Sequence, residues 1–258
     1  MSMALAAVST TAAAADDEAI CTDRPSRATG TCTTPRGRIQ IETGLVDWTR
    51  YRAGGIRTDL TAWGGSLIKY GLSAKADVEI GVTPLVELRV RGQGIHERDS
   101  SFGDTLLRVK YQLTQDEAPV QIALDPFVKL PTANRRLGNR KVEGGVTVPV
   151  QMPIGSGPFT LSLGPEIDVR ADADGHGDHF ATQQVVNVGI ALSRQLSVST
   201  ELWAAWDWEP SGTAKQASWD GAVAYDIGKD LQLDAGANFG LNRQTPGVEV
   251  YSGFSVRF

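Results

Sequence analysis

The chain has 258 residues, 41% of them hydrophobic and 21% charged, with a formal net charge of -5. That acidic balance argues against a nucleic-acid binder, and no run approaches the roughly 18 consecutive apolar residues of a membrane-spanning helix. Membrane β-barrels escape the second exclusion, because lipid-facing and lumen-facing residues alternate and cancel in any hydropathy window.

Taken in chain order, MSMALAAVSTTAAAADDEA offers a short apolar stretch, then Ala13, Ala14 and Ala15 ahead of Asp16 and Asp17. Residues 1–15 read as a signal peptide with an A-x-A type cleavage site and a truncated start, since no Lys or Arg precedes the apolar run. The alternative is an Ala-rich tail. Residues 16–37, with Pro25 and Pro35, read as an extended periplasmic leader outside the repeating pattern that follows. In an exported protein Cys21 and Cys32 of CTDRPSRATGTC are expected to form a disulfide, contributing on the order of 3 kcal/mol in the chain-entropy model. A metal pair is disfavoured, because no His or further Cys lies nearby.

From Arg38 to Phe258 the pattern has a period of two. ADVEIGVTPLVELRVRG sets Val78, Ile80, Val82, Val86, Leu88 and Val90 against Asp77, Glu79, Thr83, Glu87, Arg89 and Arg91. TLLRVKYQL, VQIALDPFVKL, FTLSLGPEIDVR and LQLDAGANFGL repeat it, and none offers the i, i+3, i+4, i+7 spacing of a helix. About twelve strands result, near 38–51, 57–73, 76–91, 102–115, 119–131, 141–154, 158–171, 180–194, 197–209, 215–227, 230–243 and 248–258. Short connections such as SAKAD and GKD alternate with longer polar ones such as GQGIHERDSS, PTANRRLGNRK and DADGHGDH. Tight periplasmic turns and larger extracellular loops produce that alternation in an outer-membrane barrel. In this orientation Tyr70, Tyr111, Phe159, Tyr225 and Phe258 fall at periplasmic strand ends, and Trp48, Trp206, Trp208 and Trp219 at extracellular ones, as two aromatic girdles.

A soluble barrel or sandwich would show the same alternation. Strand length separates the two, since several segments alternate for over ten residues, whereas soluble strands average about five to six. The expected fold is therefore an all-β, transmembrane, antiparallel up-and-down β-barrel. Its last strand, VEVYSGFSVRF, ends on an aromatic residue, and Tyr251, Phe254, Val256 and Phe258 are the expected contacts of the barrel-assembly machinery.

Parity then places Glu79, Glu87, Arg89, Arg91, Arg108, Lys110, Asp125, Lys129, Glu166, Asp168 and Arg170 on the lumen side as candidate selectivity residues. Arg89, Arg91, Arg108 and Lys110 are expected to form an electropositive wall. A transporter or channel for small molecules is the leading reading. A barrel filled by cross-strand ion pairs, serving structure or surface interaction, is the alternative. Three loops add chemistry. DADGHGDH supplies Asp172, Asp174, His176, Asp178 and His179, but it lacks an EF-hand's final acid and reads as a solvated loop without a metal. Arg135, Arg136, Arg140 and Lys141 could meet lipopolysaccharide phosphates. His96, Asp99, Ser100 and Ser101 would serve an outer-membrane lipid hydrolase, although flexible neighbours rarely hold triad geometry, so neither an enzyme nor a cofactor is expected.

The leader CTDRPSRATGTCTTPRGRIQIETGLVDWT and the ending LQLDAGANFGLNRQTPGVEVYSGFSVRF resemble the outer-membrane transporter-like family labelled for the MetA pathway of phenol degradation. TDRPS between the two cysteines is the more specific match. The resemblance implies an outer-membrane barrel passing small molecules, aromatic compounds among them, and brings no catalytic motif.

Overall fold

The computed structural model describes residues 19–258, all strand, turn and irregular chain with no helix among them. The signal peptide expected at 1–15 lies outside the described residues. Twelve antiparallel staves close the wall, eight of them single strands and four broken in two. They are β1 Ile39–Ala53, β2 Ile56–Ser73, β3 Ala76–Val82 with β4 Leu85–Gly92, and β5 Ile95–Ser101 with β6 Thr105–Gln112. Next come β7 Gln121–Leu130, β8 Glu143–Thr147 with β9 Val150–Pro153, and β10 Phe159–Leu163 with β11 Glu166–Ala171. The last five are β12 Asp178–Ala191, β13 Leu196–Asp207, β14 Ala214–Ile227, β15 Leu231–Gly240 and β16 Val248–Arg257. Closure is made by β1, which pairs with β2 on one side and with β16 on the other, Trp48 opposite Val250.

Prolines and glycines sit at all four breaks: Pro84, Gly103, Pro149, and Gly164 with Pro165. Proline has no N–H to give the ladder, which favours a break at these positions, although Pro126 stays within β7. The long loops expected after the first and third staves are instead two-residue turns at the tips of extended hairpins. Gly54 and Gly55 both have positive φ, as do Gln93 and Gly94, which is the twist that matches a tight hairpin turn. The fourth stave accordingly starts at Ile95, and GQGIHERDSS is mostly strand.

Burial runs opposite to that of a soluble protein. Lys110 and Asp125 are 0% exposed and Glu79 1%, whereas Leu107, Val109 and Val250 are 40%, 45% and 45% exposed. Apolar side chains thus face away from the axis, and the ionised ones look inward, the arrangement a lipid environment imposes. Tyr70, Tyr111, Phe159, Tyr225 and Phe258 are exposed on the outer wall at one end, and Trp206, Trp208 and Trp219 at the other.

One row of irregularities changes the parity. The β1–β16 register slips between Gly44 and Val46, leaving Leu45 as an extra residue. Below the slip Gln40 and Glu42 point inward; above it Asp47, opposite the buried Tyr251, does so, and Trp48 turns outward opposite the exposed Val250. Gly64, with positive φ, and the breaks at Pro84 and Gly103 continue this row across the next three staves. Ladder partners share a face. Arg50 is outward and pairs with Asp59, which pairs with Arg89. The lumen positions expected for Glu87, Arg89 and Arg91 are therefore corrected. They lie on the outer surface of the extracellular hairpins, because a bulge shifts the period-two count by one residue.

This sidedness has a direct consequence. Leu107→Arg, on the lipid face of β6, should destabilise the folded barrel by about 2–4 kcal/mol in equilibrium unfolding from bilayers, as for a midplane arginine. Arg89→Leu should stay within about 0.5 kcal/mol of the parent, as for a surface change.

Candidate functional site

The leader does not trail outside the barrel. Residues 20–37 enter the lumen from the end with the short turns, where Ile20 N donates to Lys229 O, and leave it where Gly37 N donates to Gly71 O. The intervening hairpin is closed by the Cys21–Cys32 disulfide. Electrostatic complementarity accounts for this placement. A chain inside a cylinder lined by charged groups must offer partners, and TDRPSRATGT offers an acid, two arginines, hydroxyls and bare backbone amides.

Asp23 is the central contact. Its Oδ2 lies 2.7 Å from Lys69 Nζ on β2 and its Oδ1 lies 2.5 Å from Lys110 Nζ on β6, both lysines being buried. Gly30 N donates to the same carboxylate at 2.9 Å, which folds the hairpin back on itself. The amide of Asp23 donates to Glu42 on β1, and Glu42 also pairs with Lys69 at 2.5 Å. Glu79 stands 3.8 Å from Lys69 and 3.6 Å from Lys110, and Arg108 bridges Glu79 and Asp125 at 3.7 and 3.6 Å. One leader acid thus completes a cluster in which the wall supplies three cations and three acids.

The opposite wall is acidic and receives the arginines. Arg24 makes two hydrogen bonds to Asp234 on β15, at 3.1 and 2.6 Å, and lies against the Tyr251 ring. Gly253 is required here, since a Cβ would collide with the backbone carbonyl of Thr43 as well as with the Arg24 guanidinium. Arg27, at the hairpin tip, reaches Asp220 at 3.0 Å and Glu249 at 2.7 Å, with its guanidinium 4.8 Å over the Trp203 ring. Glu201 accepts from the amides of Arg27 and Ala28, both at 3.2 Å. Thr31 reaches Gln151 at 2.9 Å, and Thr34 N donates to Asp77 at 2.6 Å. The hairpin is therefore tied to both halves of the barrel wall.

Two cavities flank the hairpin. One of about 250 Å³ lies between the leader from Thr22 to Gly30 and small polar residues of the wall, including Ser162, Asn187 and Ser199. The other, about 330 Å³, lies between Arg27, Thr29 and the side chains of Arg108, Phe127, Glu166 and Trp203. The first is lined mainly by polar groups, whereas the second mixes charged side chains with Leu106, Phe127, Val185 and Trp203.

Of the residues singled out by parity, Glu79, Arg108, Lys110 and Asp125 converge at this cluster. Lys129 pairs with Glu143 at 2.6 Å and Asp104 at 3.3 Å nearer the extracellular end. Glu166 accepts from Thr147 and Gln183, and Asp168 pairs with Arg170 at 2.6 Å. The expected electropositive wall is not formed. Arg89 and Arg91 face outward, and Arg108 and Lys110 are each flanked by acids. Phe254, Val256 and Phe258 face outward on β16, whereas Tyr251 points into the lumen beneath Arg24. His96 and Asp99 fall on opposite faces of β5, and Asp99 and Ser101 hold Asn134, so the hydrolase grouping is not assembled. Asp23, Arg24 and Arg27 were missed as site residues. The paired cysteines around an acid and two arginines were the available signal.

Comparison with known proteins follows the same lines. The family model described as "Putative MetA-pathway of phenol degradation" matches residues 22–258. No curated protein sequence matches. Among solved structures, the COG4313 outer membrane channel from Pseudomonas putida F1 superposes with a TM-score of 0.69 at 15% identity, covering 91% of this chain and 99% of that one. The P. putida toluene transporter TodX gives a TM-score of 0.40 at 10% identity over 87% and 89% of the two chains. The β domain of the Bordetella autotransporter BrkA gives 0.46 at 11% over 85% and 98%. This barrel is of the bacterial outer-membrane kind, and the chain belongs to the family described as the MetA pathway of phenol degradation.

Proposed function

We propose that the barrel is a gated channel for small molecules, in which the leader hairpin is the gate. The observation that carries this reading is the nature of the contacts. The hairpin is held by ion pairs and hydrogen bonds inside a hydrophilic lumen, with cavities on both of its sides, and not by apolar packing. Buried ion pairs are weak contributors to net stability, because desolvation offsets most of their attraction. A segment so held can leave while exposing little hydrophobic surface, chiefly Ala28 and the wall groups Val185, Trp203 and Tyr251. Small aromatic compounds are the first solutes to test, on the family's label.

With the hairpin gone, the lumen would present Asp47, Asp220, Asp234, Glu201 and Glu249 along one side and Lys69, Arg108 and Lys110, still among Glu42, Glu79 and Asp125, on the other. Acids outnumber bases, so the opened pore would favour cations and neutral solutes. On the outer surface, Arg50, Arg57, Arg89, Arg91 and Arg98 lie beyond Trp48 on the extracellular side. They, together with Arg135 and Arg140 of the 135–141 loop, would meet lipopolysaccharide phosphates; Arg136 is paired with Asp99 at 3.3 Å, as Arg50 and Arg57 are with Asp59 at 2.8 and 2.6 Å. Strand β16, with Phe254, Val256 and Phe258 outward, would be the segment the assembly machinery binds.

Deleting residues 20–34 should convert slow liposome swelling into rapid swelling with sugars and phenols, and the conductance should become cation-selective. An unchanged, closed barrel would favour the filled structural reading. Asp23→Asn should weaken the seating of the leader by about 2–5 kcal/mol, the usual loss when one partner of a buried charge pair is removed. Faster proteolysis within residues 20–37 and more frequent channel openings would register that loss.

A further inference from the structure

We propose a divalent transition-metal site, of the kind that takes Zn²⁺, at the extracellular rim, formed by His179 Nδ1 with Asp172 and Glu209. Asp172 begins the loop after β11, His179 opens β12 and Glu209 follows β13, so three positions apart in sequence meet at one point. The His Nδ1 lies 2.8 Å from Asp172 Oδ1 and 3.4 Å from Glu209 Oε2, and all three candidate donor atoms lie within 4.8 Å of one another. Tetrahedral zinc with ligand bonds of about 2.0–2.1 Å needs ligand atoms about 3.3 Å apart. The cluster needs little movement to supply that.

The imidazole itself points to a cation. Its side chain is only 7% exposed, and carboxylate oxygens stand against both ring nitrogens: Asp172 and Glu209 at Nδ1, Asp207 Oδ1 at 2.8 Å from Nε2. A neutral imidazole has one N–H, so one nitrogen would present its lone pair to a carboxylate, which is repulsive. The arrangement is satisfied by a second proton or by a metal on Nδ1. Asp207 lies 2.8 Å from Nε2 but out of line for a hydrogen bond, so that a small rotation of the ring would make it the outer carboxylate that fixes the tautomer of metal-binding histidines, and Arg170 holds it at 3.2 Å. The ligand set of one imidazole and two carboxylates selects zinc-like metals over calcium, which prefers six to eight oxygens. The 172–177 loop is already drawn to the end of β13, since Ala173 N donates to Glu209 Oε2 at 3.1 Å. A bound metal would lock these two extracellular connections together. His176, exposed in the same loop and hydrogen-bonded only to Asp174, takes no part.

The test uses the folded full-length barrel, with folding verified by heat-modifiable gel migration. Co²⁺ titration at neutral pH should give one equivalent of binding with the intense visible bands of a tetrahedral site, displaced by Zn²⁺ and not by Ca²⁺. His179→Gln and Glu209→Gln should each weaken binding by more than about tenfold, while His176→Gln leaves it unchanged. Absence of stoichiometric binding would overturn the proposal, leaving His179 as an imidazolium in an ion-pair cluster. Equal binding by the two ligand variants and the parent would overturn it as well.

Discussion

The structure depends on one interaction: the Asp23 carboxylate held between the ammonium groups of Lys69 and Lys110. It joins a strandless leader to two staves of a closed wall, at a level where neither lysine reaches bulk solvent. Each lysine brought into that interior needs an acid close to it: Glu42 reaches Lys69 alone, Glu79 stands no nearer than 3.6 Å to either lysine, and Asp125 pairs with Arg108. The leader supplies the remaining partner. The disulfide between Cys21 and Cys32 holds the two legs of the hairpin together, and the Gly30 amide donates back to Asp23, so the acid arrives already turned toward its cations.

The wall makes this possible because lipid sets its sidedness. With apolar residues such as Leu107, Val109 and Val250 committed to the outside, every stave has polar positions to place inside. Those positions are not evenly signed. The staves from β13 to β16 carry Glu201, Asp220, Asp234 and Glu249, and the leader answers with Arg24 and Arg27. Across the lumen the wall carries the lysines, and the leader answers with Asp23. A single hairpin with complementary charges on its two sides therefore satisfies both halves of the cylinder. Its attachment is mainly polar, with Arg24 and Arg27 also lying over the rings of Tyr251 and Trp203.

Most of the fold was legible in the sequence. Period-two alternation over long segments, with aromatic residues near both ends, identified a twelve-stave barrel, and the parity of β6 and β7 put Arg108, Lys110 and Asp125 on the inner face, where they lie. Parity failed where the chain slips by a residue. Leu45 gives no signal as a bulge, Gly64 looks like any other glycine, and beyond them Glu87, Arg89 and Arg91 exchange the lumen for the outer surface. The extended hairpins were hidden for a related reason: their polar tips resemble loops, because strands that project above the membrane have no apolar face to display. The seating of the leader was not legible either. Nothing in TDRPSRATGT states which inward charges it will meet, because those partners lie as far as 222 positions away in the chain, as Glu249 does from Arg27. The rim cluster shows the same limit, since DADGHGDH holds Asp172 and His179 while Glu209 and Asp207 come from the next hairpin.

Amide hydrogen exchange on the barrel reconstituted in bilayers tests the central claim most directly. The amides of Asp23, Arg24, Ala28 and Thr34 all donate to wall carboxylates, so peptides covering the leader should exchange orders of magnitude more slowly than an unstructured chain, at rates approaching those of the staves. Exchange at the free-peptide rate across the leader, with the staves still protected, would contradict the account.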